Sequence, residues 1–80
     1  MIYGECVGPA ESARVRIRDL ANEGCALETD APAAVFDADF SLWIGAVGPF
    51  AATATHRQAR EVSVRFKEPL DARILQHFNT

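Results

Sequence analysis

Alternation of apolar and charged residues is the feature that most restricts what this chain can become. "RVRIRDL", residues 14–20, sets Val15 and Ile17 on one side and Arg14, Arg16 and Arg18 on the other. A period of two belongs to a strand with one buried and one solvated face. The same rhythm returns several times. "CALE" (25–28) puts Cys25 and Leu27 inward. "FSLWIGAV" (40–47) aligns Phe40, Leu42 and Ile44, "FAATATH" (50–56) aligns Phe50, Ala52 and Ala54, and "EVSVRF" (61–66) aligns Val62, Val64 and Phe66. A shorter strand is expected at "IYGECV" (2–7), closed by Gly8-Pro9, with a hairpin connection over 8–13.

Between these strands the punctuation is uneven. Gly48-Pro49 reads as a turn, and "TDAPAAVFDAD" (29–39) reads as a loop with one helical turn. "RQAR" (57–60) must turn a hairpin without Gly, Asn or Asp. After Phe66 the period changes: Leu70, Ile74 and Phe78 recur every fourth residue. That spacing predicts a terminal helix with Pro69 at its first position, Asp71 in its first turn and His77 near its end. Six short strands and one helix in 80 residues make a single, mainly β domain. The expected architecture is a small six-stranded antiparallel barrel with the C-terminal helix on its side or mouth, since closure removes exposed edges.

Composition narrows the function. The net charge of −3 argues against DNA or RNA as the main partner. No stretch approaches the run of apolar residues that a membrane span needs. The first residues show neither a basic nor an apolar secretory segment, so the expected compartment is cytoplasmic and Cys6 and Cys25 are expected as reduced core residues. Seven of the eight basic residues are arginine, the side chain that forks onto phosphate and carboxylate. No Ser, His and acid fall in a nucleophile pattern, and neither His56 nor His77 has the companions of a metal site. No enzyme, cofactor or metal chemistry is expected.

Four residues stand out as a candidate ligand site. Arg16 and Arg18 project from the outer face of the second strand, and Asp19 and Gly24 bracket the turn "DLANEG" that follows it. Each has a structural alternative. The arginine row can be a solvated face paired with acids such as Glu28 or Glu61, or an anion- or partner-docking surface. Asp19 and Gly24 can simply open a turn and permit a positive φ. Trp43 lies out of phase with its strand and is either covered at the barrel end or an exposed anchor.

The order of elements, with Asp19-Leu20-Ala21-Asn22-Glu23-Gly24 at the second turn and residues 48–70 as a last hairpin leading into a helix, resembles the PilZ family. Those domains are six-stranded barrels that receive the bacterial second messenger cyclic di-GMP. The family's site combines an R-x-x-x-R pair ahead of the first strand with [D/N]-x-S-x-x-G at this turn. Here Asp19 and Gly24 match, Ala21 stands in the serine position, and no arginine precedes Arg14. Arg14 and Arg18 fit R-x-x-x-R in form only, because they lie on the second strand. Two missing charge-assisted contacts correspond to roughly 3–6 kcal/mol, or about two to four decades of affinity. The resemblance therefore implies a degenerate member: an adaptor that meets a protein in motility, pilus or surface-behaviour control and binds cyclic di-GMP weakly or not at all. The alternative it implies is a functional receptor, using the Asp19–Gly24 turn with arginines from the second strand or from upstream. A third reading, nucleic-acid binding through the arginine face, is disfavoured by the acidic charge.

Overall fold

The computed structural model describes residues 2–9, 11–30 and 33–78. Its six strands are β1 (Ile2–Val7), β2 (Ser12–Arg18), β3 (Gly24–Glu28), β4 (Phe40–Ile44), β5 (Val47–Gln58) and β6 (Glu61–Phe66). A 3-10 turn (Ala33–Phe36) precedes β4, and helix α1 (Ala72–Phe78) follows β6. The strands close into an antiparallel barrel in the order β1-β2-β3-β6-β5-β4. The expected mainly β, six-stranded antiparallel barrel with a C-terminal helix is thus the fold of this chain.

The alternation in the sequence maps directly onto the barrel wall. Val15, Ile17, Cys25, Leu27, Leu42, Ile44, Val62, Val64 and Phe66 all point inward and are buried. Val35 and Phe36 of the 3-10 turn join them, with the Phe36 ring edge-on to Phe40 at 5.3 Å. Every buried residue among those described is apolar, so the interior is a packed core and any binding chemistry lies on the outer surface. Cys6 and Cys25 are free thiols inside this core. Burial pushes both thiols up to about 12, with Coulombic contributions from Cys25 and Glu5 adding to the rise at Cys6.

Several boundaries differ from the sequence reading, each for a local reason. β2 starts at Ser12 and stops at Arg18, because β1 pairs with it from Val7↔Ser12 onward and Asp19 then takes a φ of 53° that ends the strand. β4 ends at Ile44: Gly45, at φ 60°, makes the turn that was expected at Gly48-Pro49. Gly48-Pro49 instead lies inside β5, joined by a cis peptide, and β5 runs without a break from Val47 to Gln58. Its first part pairs with β4 and its last part with β6, so one long strand bends across two sides of the barrel. The helix begins at Ala72, later than expected, and Asp71 caps it by accepting a hydrogen bond from the Arg73 N–H at 2.8 Å. Pro69 precedes the helix. Leu70 is buried, and Ile74, Leu75 and Phe78 pack partly against the core. The loop expected over 29–39 does carry one helical turn, while its residues 31 and 32 lie outside the described residues.

Trp43 is half-buried on β4, opposite Glu5 of β1, which is neither the covered position nor the free anchor that the sequence reading weighed. No helix of the described residues is long and apolar enough to cross a membrane.

Candidate functional site

The outer face formed by β2, β3 and β6 carries the candidate residues. Antiparallel register sets Arg16 opposite Glu28 and Glu28 opposite Glu61, so one row across three strands reads Arg, Glu, Glu. Arg16 Nη1 lies 3.8 Å from Glu28 Oε2, and Arg18 Nε lies 3.3 Å from the same oxygen. The other branch of the Arg18 guanidinium, Nη2, donates to Glu61 Oε1. The pairing with Glu28 and Glu61 expected from the sequence is therefore present. Arg16 also stacks over the exposed Tyr3 ring of β1, 5.9 Å from its centroid.

Asp19 and Gly24 sit at the next level, in the turn that joins β2 to β3. Asp19 tolerates its left-handed backbone because its short polar side chain is one of the few that do. Gly24 is not at a positive φ, contrary to the expectation for it. It is required by close approach: a Cβ there would collide with the Val64 carbonyl oxygen of β6. The turn also holds the end of the chain. Asn22 O accepts from Leu70 N–H at 2.7 Å, Glu23 O accepts from Phe66 N–H at 2.9 Å, and Ala21 N–H donates to Gly24 O at 2.9 Å. No hydrogen bond or ion pair joins Asp19 to Arg16 or Arg18 among the described residues. The structure thus brings Arg16 and Arg18 together through Glu28 and sets Asp19 and Gly24 apart from them, in a turn that seats the segment leading to α1.

A cleft of about 370 Å³ opens beside the arginine row, lined by Tyr3, Arg14, Val15, Arg16, Glu28, Thr29, Asp30 and Arg60. A second, of about 480 Å³, is lined by Arg18, Glu28, Gln58, Ala59, Arg60 and Glu61. The two share Glu28 and Arg60, which makes them neighbouring parts of one surface. Arg60 is tied to Asp30 at 3.0 Å. Tyr3, Thr29, Asp30 and Arg60 were not legible as site residues. Tyr3 comes to the arginines only through the register Tyr3↔Arg16, and Arg60 only through the β5–β6 hairpin.

His56 is exposed on β5 opposite Ser63, and His77 stacks edge-on with Phe78 at 5.0 Å. No group of three metal-ligating side chains occurs among the described residues. Just ahead of β4, a hydrogen bond and the charge of Lys67, 2.9 Å away, hold Asp39 below the usual carboxylate range.

No family model matches this chain, and neither a curated protein nor a solved structure does.

Proposed function

We propose that this chain is a PilZ-like domain of bacterial cyclic di-GMP pathways that works as a non-enzymatic, protein-docking adaptor in the cytoplasm, in control of motility, pili or surface behaviour. The observation that carries the reading is the state of its arginines. Arg18 is held by both Glu28 and Glu61, and Arg16 shares Glu28 and covers Tyr3. A phosphate would have to displace the two carboxylates that already hold Arg18, whereas a protein surface can dock onto a mixed-charge patch with an aromatic beside it. Two further features support weak messenger binding. The turn offers Ala21 in place of a hydroxyl, and its Asn22 and Glu23 carbonyls are engaged by the chain itself.

Calorimetric titration with cyclic di-GMP, at protein concentrations able to resolve millimolar dissociation constants, tests this reading. The expected result is no saturable heat below the millimolar range. Saturation at micromolar ligand would overturn it in favour of the receptor, with Arg16, Arg18 and the Asp19–Gly24 turn as the site. Capture from bacterial lysate completes the test: bound proteins should be lost on Arg16→Gln/Arg18→Gln substitution, and an unchanged profile would remove the adaptor role from this face.

A further inference from the structure

β2 is longer than the strand beside it. Its residues Arg16, Ile17 and Arg18 pair with β3, but β3 ends at Glu28. Ser12–Val15 pair with β1 alone, from Val7↔Ser12 to Gly4↔Val15, and no described strand lies along their other edge. Thr29 turns the chain away, because its N–H goes to Arg60 O at 2.9 Å. Its hydroxyl reaches back, donating to Arg14 O at 3.3 Å.

That contact shows which way the backbone faces. The Arg14 carbonyl points to the open side, so the Arg14 N–H does too, and two residues earlier so do the polar groups of Ser12. An edge of this kind is a template for one more strand. It borders the 370 Å³ cleft, whose rim carries Tyr3, 52% exposed.

Charge selects the occupant. Three arginines line the cleft against two carboxylates, a local excess of positive charge on a chain of net −3. Arg60 is matched by Asp30, and Glu28 is drawn most closely by Arg18. Arg14 has no ion pair or hydrogen bond to its guanidinium among the described residues, and Arg16 is 3.8 Å from its acid. Arg14 projects from the outer face of β2 where a residue of an added strand would stand opposite it, whereas the place opposite Arg16 is taken by Glu28 of β3.

We propose that the open edge of β2 at Ser12–Val15 captures an extended, acidic segment of a partner protein, adding it as a strand with an Asp or Glu side chain on Arg14. The assignment rests on the adaptor reading and names the kind of partner and the place it binds.

Fluorescence anisotropy tests it with a labelled eight-residue peptide of alternating glutamate and valine. Saturable binding is expected. Arg14→Glu should weaken it by about tenfold or more, as should N-methylation of alternate peptide amides, and a peptide with lysine for glutamate should not bind. Arg14→Gln, with less perturbation of the fold, should weaken it in the same direction. Equal binding of the N-methylated peptide, indifference to Arg14 or no binding at millimolar peptide would each overturn the proposal. Sedimentation that shows a dimer dissolved by Arg14→Glu would give the edge to a second copy of this chain instead. Failure of the peptide with lysate capture still dependent on Arg16 and Arg18 removes only the edge assignment. Tight cyclic di-GMP binding beside a working edge removes only the adaptor reading.

Discussion

Glu28 and Glu61 stand directly opposite each other across β3 and β6, and the guanidinium of Arg18 closes on both. Like charges facing each other in a ladder repel, so Arg18 holds the outer wall together whatever else it does. Arg18→Ala should cost about 0.5–1 kcal/mol, modest because all three side chains are solvated. Thermal melts at low salt and at about 1 M salt check this, since screening should shrink the difference. Adding Glu61→Gln should recover most of the loss. No recovery would mean that the ion pairs do not set the stability of this face.

Gly24 belongs to the same wall by a different contact. The Val64 carbonyl occupies the space a side chain would need, and both partners are backbone. Gly24→Ala should therefore destabilise the barrel by about 2–3 kcal/mol, lowering Tm by about 8–24 °C in a domain of this size. A melt within a few degrees of the parent would show that β6 can withdraw from the turn.

Ala59 turns the β5–β6 hairpin at a φ of 39°, where an alanine is strained. Ala59→Gly should stabilise by about 0.5–1 kcal/mol, the relief of strain exceeding the entropy glycine adds to the unfolded chain. Asp19, at φ 53°, is the internal comparison. Asp19→Asn should leave the melt unchanged, and Asp19→Val should lower it, because a β-branched side chain is poorly accommodated there. Denaturant midpoints at constant slope would measure all three.

The thiols of Cys6 and Cys25 ionise near 12 in the folded barrel, against 9.0 when unperturbed. Across the window from 9 to 12 the unfolded chain has lost these protons while the native state keeps them. Stability is therefore undiminished by the thiols below pH 9 and falls as pH rises through the window. Urea melts stepped from pH 8 to pH 11 should show this decline, and Cys6→Ala/Cys25→Ala should flatten it. Iodoacetamide at pH 8 should leave both cysteines unmodified in the native protein and label both in urea.

Much of the barrel was legible because half-buried strands must alternate. Val15 and Ile17, Cys25 and Leu27, and Val62, Val64 and Phe66 could each be assigned to a face from the chain alone. Boundaries were harder where backbone conformation, not side-chain pattern, ends a strand. Asp19 and Gly45 stop β2 and β4 by adopting positive φ, and Gly48-Pro49 resembles a turn but continues β5. The arginine row was visible as a face with acids to pair with, but its geometry was not. That Arg18 bridges two glutamates, and that Tyr3 and Arg60 join the cleft, depends on register between strands far apart in sequence.

The sequence by itself determined the strand faces, the apolar core and the terminal helix, because each follows from the period of burial along the chain. Tertiary structure alone decided that Gly24 yields its space to β6, that Glu28 meets Glu61, and that no described strand lies along the β3 side of Ser12–Val15. Those are relations between strands. They are set by how the barrel closes, and no local stretch of residues contains that information.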